Sequence, residues 1–295
     1  METSKVIHSI LSLLKIRHYI KNLFVLLPLF FAARFTDMML LWQAFLAFVS
    51  FCLMASSVYV FNDIYDIEED RIHPQKKDRP IAGGTISISF ARMLDLILSL
   101  SSLAMAWVIN IQLIYVLLIY KILNILYTLI LKKMAILDVM VLSLGFVLRL
   151  YAGSVSTDVV LSEWIIIMTF LLSLLIVMGK RRHDVLFFEQ KEIVLRKAVA
   201  GYNSTFLNYT MVMLSSIIIV AYIMYTVAPA SRARFGSDYL FVTVFWVIAG
   251  ILRYLQLLFV HRTEDPPVRL LYRDIPLKLV LAAWLFNFLY FIYMS

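Results

Sequence analysis

Stretches of apolar residues long enough to cross the roughly 30 Å hydrocarbon core of a bilayer recur from one end of this chain to the other. About nine such runs can be drawn, over residues 20–35, 40–62, 88–109, 111–130, 136–155, 162–179, 206–228, 238–259 and 275–293. Lipid offers no hydrogen bonds, so a spanning segment must satisfy its own backbone as a helix or close into a barrel. The runs are continuous instead of alternating at period two, which selects helices. The predicted fold is therefore all-α, a polytopic membrane bundle of about nine transmembrane helices. Of the 295 residues 62% are hydrophobic and only 16% charged, and no stretch between the runs is long enough for a soluble domain. Residues 1–295 are read as a single transmembrane domain. Lys5, Lys15, Arg17 and Lys21 come early with no short apolar core and cleavage site among them, which predicts a retained N-terminus. The single cysteine, Cys52, lies in an apolar run; intrachain disulfides are excluded and a buried, inert thiol is expected.

Lysine and arginine concentrate in cytoplasmic loops near span ends. Placing the N-terminus inside gathers Lys76, Lys77, Arg79, Lys132, Lys133, Lys180, Arg181 and Arg182, with most other loop cations, on the cytoplasmic side; Arg34, Arg232 and Arg234 stay outside. The chain is thus expected to be integral to the inner or plasma membrane, with its net charge of +8 concentrated on one face. A topology signal plus attraction to anionic lipid explains many of these cations. It does not explain the acids among them.

The second run continues into Asn62-Asp63-Ile64-Tyr65-Asp66-Ile67-Glu68-Glu69-Asp70, with helical turn expected to persist until His73-Pro74. At about 100° per residue, Asp63, Asp66 and Asp70 fall within an arc of roughly 60°, with Asn62 at its edge. Like charges at a helix C-terminus repel one another and oppose the helix dipole, so a cation is their natural partner. Carboxylate and amide oxygens suit Mg²⁺, which keeps waters and bridges to substrate phosphates. Asp63, Asp66 and Asp70 are accordingly the candidate metal ligands. Residues 71–84 (RIHPQKKDRPIAGG) follow, placing Lys76 and Arg79 beside the acids. A metal flanked by fixed cations is the arrangement a diphosphate needs.

The NDxxDxxxD run followed by His73-Pro74 and Arg79-Pro80-Ile81-Ala82 resembles the UbiA superfamily of intramembrane prenyltransferases, and the likeness covers nearly the whole chain. Further segments resemble that family: Lys21-Asn22, Tyr127 with Leu131-Lys132, Leu137-Asp138-Val139, Gly179-Lys180-Arg181, and the run from Leu271 to Leu277. Within it the chain is most similar to the branch that moves 5-phosphoribose from phosphoribosyl diphosphate to a polyprenyl phosphate. One departure bears on this. Where the family's second acidic motif, DxxxD, would begin at Asp138, its second acid is replaced by Leu142. A second full metal site is less secure, which weakens a prenyl diphosphate ionising activity and suits the phosphoribosyl branch.

The resemblance implies an Mg²⁺-dependent transferase at the cytoplasmic membrane face whose partners are phosphoribosyl diphosphate and a polyprenyl phosphate lipid; self-association into a homo-oligomer is compatible with it. It also implies catalytic roles for Asp63, Asp66 and Asp138 and substrate-binding roles for Lys21, Asn62, Lys76, Arg79, Tyr127, Lys132, Lys180 and Arg181. One rival reading is a prenyltransferase acting on an aromatic or other acceptor. The other is a transporter, whose charges would be expected at the midplane rather than at one face.

Arg149 and Lys121 lie well inside their runs, where an ionisable group implies a partner or a wet cavity. Arg149 shares a helical face with Asp138 and Gly145, and stands about 16 Å along the axis from Asp138. Lys121 is expected to line the same cavity with Asn124 and Thr128. Asp138 is alternatively a partner for Lys132 or Lys133, and Tyr202 and Tyr209 are alternatively interfacial. The histidines lack metal-ligand spacing. No Walker loop, Rossmann fingerprint or nucleophile elbow occurs, and basic patches facing lipid headgroups leave no role for nucleic acid.

Overall fold

The structure, a computed structural model, describes residues 2–72, 76–191, 197–260, 270 and 272–293. His73, Pro74 and Leu271, named above, lie outside them. Among the described residues every regular element is helical. Helix α1 is Glu2–Leu14. A 3-10 segment, Ile16–Leu26, leads into α2, Leu27–Phe31, and then α3, Met38–Tyr65, and α4, Ile67–Ile72. Helices α5 (Ile88–Ile109), α6 (Ile111–Leu129), α7 (Leu137–Thr157), α8 (Glu163–Lys191) and α9 (Ser204–Val227) follow. The chain continues through α10 (Pro229–Phe235), a 3-10 turn at Leu240–Thr243, α11 (Val244–Phe259) and α12 (Ile275–Tyr293).

Seven helices among the described residues are long and apolar enough to cross a membrane, and Ile275–Phe291 is a shorter apolar stretch. Among the described residues the expected count of nine is therefore not confirmed. The clearest difference is at the first run, 20–35, which folds as a 3-10 segment and then a five-residue helix with Pro28 in its first turn. The starts of α3, α5, α6 and α9 fall within two residues of the apolar limits because side chains cap them, whereas α8 runs on to Lys191, well past the expected end at 179. Asp37 accepts from the amides of Met39 and Leu40 (3.1 and 3.2 Å), Ser87 from Phe90, and Asn203 from Phe206. Asn110 caps α6 through Gln112 (2.8 Å) and also donates to the Val155 carbonyl at 2.7 Å.

The chain divides into two compact units, one of residues 1–131 and 145–161, the other of 132–144 and 162–295. In the first, Phe51, Met54, Leu113, Leu117, Tyr120 and Ala152 form the main core, and Leu13, Val60, Ile81 and Ala91 a second cluster. Lipid tails supply little hydrophobic drive between helices, so small residues and hydrogen bonds matter more. Ser50 and Ser102 each donate to the other's carbonyl, at 2.9 and 2.7 Å, and lock α3 to α5. Gly153 of α7 lies against the 3-10 segment so closely that a Cβ there would come within 1.8 Å of the Val25 carbonyl oxygen.

The two intramembrane cations of this unit resolve differently from expectation. Lys121 pairs with Asp95 (3.0 Å) and also donates to Ser57 (3.0 Å) and Ser99, while Asn124 and Thr128 turn to other partners. Arg149 has no ion pair among the described residues. Its guanidinium donates to Asn22 Oδ1 (2.8 Å), the Gly145 carbonyl (2.6 Å) and Tyr120 (3.2 Å), and lies 5.0–5.3 Å from the rings of Phe51, Tyr120 and Phe146. Neutral oxygens and ring faces, not a carboxylate, compensate this charge.

In the second unit Leu207, Met211, Ile218, Tyr254 and Leu257 are core residues, and Leu142 packs partly buried against them. Arg253 forms a two-pronged pair with Asp274 (3.1 and 2.7 Å), and Asp274 also accepts from the Leu277 amide at the start of α12.

Candidate functional site

Helical turn extends to Ile72, the last described residue before His73 and Pro74, with one break. Helix α3 ends at Tyr65, Asp66 adopts a cap conformation, and α4 begins at Ile67. The break still leaves backbone bonds from Asp66 to Asn62 (2.9 Å) and Asp70 to Asp66 (2.8 Å), so the acids remain one turn apart. Asp63 and Asp70 are each only 2% exposed. Arg79 bridges them, its Nη1 3.0 Å from Asp63 Oδ1 and 2.6 Å from Asp70 Oδ2, and Lys76 Nζ stands 3.8 Å from Asp70 Oδ1. Lys15 adds a second cation to Asp63 Oδ1 at 2.6 Å. Burial lowers the Lys15 ammonium below the ordinary lysine value, against the pull of Asp63. Asn62 accepts from Thr128 of α6.

The turn that brings Arg79 back is closed by backbone bonds. Gly83 donates to the Arg79 carbonyl (2.7 Å), Gly84 to Ile81 (3.1 Å) and Ile86 to Pro80 (3.0 Å). Gly84 sits at φ +75, a left-handed conformation that costs any residue with a Cβ. The RPIAGG sequence thus folds into a rigid loop that aims Arg79 at both carboxylates.

Asp63 Oδ2 is buried and accepts no hydrogen bond. A carboxylate oxygen left bare at 2% exposure is costly unless a cation meets it. Among the described residues no three His, Cys, Asp or Glu side chains form a ready-made metal cage. Mg²⁺ does not need one, since it commonly takes one or two carboxylates with waters and phosphate oxygens. Hard oxygen donors and an orphaned carboxylate oxygen therefore fit such an ion.

The structure brings together Asn62, Asp63, Asp66, Asp70, Lys76 and Arg79 in the first unit. Lys21, on the 3-10 segment, and Tyr127, buried in α6, belong to the same unit. Lys132, Asp138, Lys180 and Arg181 belong to the second. There Asp138 is fully buried and pairs with Arg181, not with Lys132 or Lys133. Tyr202 is buried too, contrary to the interfacial alternative. Its hydroxyl donates to Asp138 Oδ1 (2.6 Å) and accepts the Ile136 amide (2.6 Å). Arg181 also reaches Asp184 at 3.0 Å. Burial and the neighbouring Asp138 carboxylate push the Tyr202 phenol above its ordinary range. Ile136 takes a left-handed φ of 71, unusual for a β-branched residue, and Gly201 approaches Ala135 so closely that a Cβ would stand 2.5 Å from it. Lys15 and Asp184 are participants the sequence did not single out for these sites, and the pairing of Tyr202 with Asp138 was not foreseen there. Lys15 offered only its charge, and Tyr202 only its nearness to a span end.

Residues 22–275 match the model of the UbiA prenyltransferase family. This chain belongs to that family. Among its relatives, decaprenyl-phosphate phosphoribosyltransferase of Mycobacterium tuberculosis is 30% identical to this UbiA member over 273 residues, 91% of this chain and 89% of the relative. The enzyme of the same name from Mycolicibacterium smegmatis is 36% identical over 176 residues, 60% of this chain and 55% of that one. A solved UbiA homologue from Archaeoglobus fulgidus, bound to DMAPP and Mg²⁺, superposes with a TM-score of 0.67 at 20% identity, covering 97% of this chain and all of the other. That likeness identifies the fold as the UbiA helical architecture.

Proposed function

We propose that this UbiA family member transfers 5-phosphoribose from phosphoribosyl diphosphate to a polyprenyl phosphate, releasing diphosphate, at the cytoplasmic face of the membrane. The observation that carries the reading is the state of Asp138. One oxygen takes Tyr202 and the other Arg181, while Leu142 packs into an apolar cluster, so the second acidic motif offers no bare carboxylate oxygen. The first motif, with its orphaned Asp63 oxygen, is left to hold a single diphosphate. The phosphoribosyltransferases named above, similar across most of the chain, support the same assignment.

In this mechanism Asp63, Asp66 and Asp70 would hold Mg²⁺, which would supply neutralisation of the diphosphate charge. Arg79 and Lys76 lie against the same carboxylates and take remaining phosphate oxygens. A phosphate oxygen of the lipid forms the new bond to ribose C1 as the bond from C1 to the diphosphate oxygen breaks. The leaving diphosphate carries away the electron pair, and the sugar centre inverts through an oxocarbenium-like transition state. The attacking phosphate is already anionic, so no protein base or nucleophile is needed; catalysis rests on positioning and charge stabilisation. Asn62, held by Thr128, fixes the start of the motif, and Asp138 orients Arg181. Lys21, Tyr127, Lys132 and Lys180 are the further proposed substrate contacts.

The test is direct. Purified protein with Mg²⁺ receives ribose-labelled phosphoribosyl diphosphate and polyprenyl phosphate, and the lipid fraction is analysed by mass. Labelled ribose 5-phosphate on the lipid is expected. A prenylated acceptor formed from prenyl diphosphate, with no ribose entering lipid, would reject the assignment.

A further inference from the structure

Two cations crowd one oxygen of Asp63 while its other oxygen is bare. Oδ1 receives Lys15 at 2.6 Å and Arg79 at 3.0 Å, whereas Oδ2 is buried without a partner. A divalent cation reaching this carboxylate must approach both positive side chains, and the mutual repulsion favours release of whichever is held less firmly. Arg79 has a second anchor in Asp70 at 2.6 Å and sits on a loop closed by backbone bonds. Lys15 has Asp63 as its one ion-pair partner among the described residues, and otherwise only the face of the Tyr59 ring, 5.3 Å away. Its backbone marks a joint in the chain. Helix α1 ends at Leu14, Lys15 takes a left-handed φ of 51, and the 3-10 segment starts at Ile16. A non-glycine residue pays a backbone cost there, which a shift of the main chain at this joint would relax.

Resting on the metal reading proposed above, we infer that Lys15 is an internal counter-cation of Asp63 that a divalent metal displaces and that then binds the phosphate oxygens of the metal-bound diphosphate. The ammonium is tethered next to Asp63, so a phosphate bridged to a metal there lies within reach of the same four-carbon stem. Lys15 thus serves two states of one site, neutralising Asp63 before loading and the diphosphate after it. A residue with a merely structural role would weaken both states when removed. A displaceable counter-cation has opposite effects on them.

The experiment uses purified full-length protein without substrate. Mn²⁺ is titrated as the Mg²⁺ surrogate, and the free ion is followed by electron paramagnetic resonance. Lys15→Gln is expected to bind Mn²⁺ about tenfold more tightly than wild type, the scale of one charge-assisted contact, whereas Arg17→Gln, at an exposed neighbouring cation, binds as wild type does. The same Lys15→Gln protein should require roughly tenfold more inorganic diphosphate to saturate its Mn²⁺ complex. Wild-type protein supplies an independent readout through amine acylation at Lys15, measured by peptide mass. Mg²⁺ alone should raise the labelling several-fold, and Mg²⁺ with diphosphate should lower it again. Unchanged or weaker Mn²⁺ affinity in Lys15→Gln, or Lys15 labelling indifferent to Mg²⁺, overturns the role of Lys15 and leaves the metal assignment standing. Absence of Mn²⁺ binding that Asp63→Asn abolishes overturns both.

Discussion

Replacing Asp138 by Asn separates the buried network of the second unit from the carboxylate motif of the first. Asp138 is fully buried, and Arg181, its partner, is 2% exposed. Removing one member of such a pair costs about 3–5 kcal/mol because the other charge stays buried without compensation. Asp184, 3.0 Å from Arg181 Nη1, retains part of the compensation, which moves the expected loss to about 3 kcal/mol. Tyr202→Phe removes one hydrogen bond to a charged group, worth about 1.5–3 kcal/mol, without stranding a charge. It also leaves the Ile136 amide without the phenol oxygen. Because both substitutions act through Asp138, the double variant should lose less than the sum. Denaturant or heat inactivation of the purified protein, followed by the loss of the folded fraction, ranks the variants. Manganese titration accompanies each measurement. Asp138→Asn is expected to be destabilised with its metal affinity intact, whereas Asp63→Asn is expected to lose metal affinity. Wild-type stability in Asp138→Asn, or loss of its metal binding, would refute the assignment of Asp138 to a structural and orienting role.

Asp63→Asn and Asp66→Asn should each lower transferase activity by orders of magnitude while expression and helicity persist; full turnover after chelator treatment would remove the metal from the mechanism. A cysteine at position 77, in a background lacking Cys52, should react with impermeant reagent only from the cytoplasm, and one at position 232 only from outside; reaction of both from one side overturns the proposed topology. Tyr202 yields a pH signature. Its folded pKa lies above the unfolded value near 10, so its contribution to stability is complete below pH 10 and declines as pH rises towards the folded value. Tyr202→Phe should flatten that alkaline loss in a denaturation series, and an unchanged slope would show that this phenol does not control it.

Helix positions were legible because burial in lipid imposes length and polarity on the sequence directly. The run at 88–109 coincides with α5, and 111–130 differs from α6 by one residue, since Asn110 and Ser87 supply recognisable caps. The acidic motif was legible for a related reason, as carboxylates at the end of an apolar run have no structural use to conceal them. Long-range partners were not. Lys15 and Asp63 are 48 residues apart, Lys121 and Asp95 26, and Asp138 and Tyr202 64. Periodicity places each residue on a face of its own helix but says nothing of which foreign side chain meets that face. The 3-10 course of residues 16–26 escaped notice because an apolar run reads alike in either helical form.

The contact between Gly153 and the Val25 carbonyl makes a missing side chain the means by which the 3-10 segment is seated. A single methyl group at position 153 would have to push the backbone at residue 25 outward, because the oxygen it meets belongs to the main chain and has no rotamer to change. Asn22, which joins Arg149 to Cys52 from one turn away, rides on that same stretch. The close approach requires glycine at position 153 for a reason remote from chemistry. A bulkier residue would be registered first as a displaced Arg149, and a laboratory selection for function should recover compensating changes along residues 16–26 sooner than elsewhere in α7.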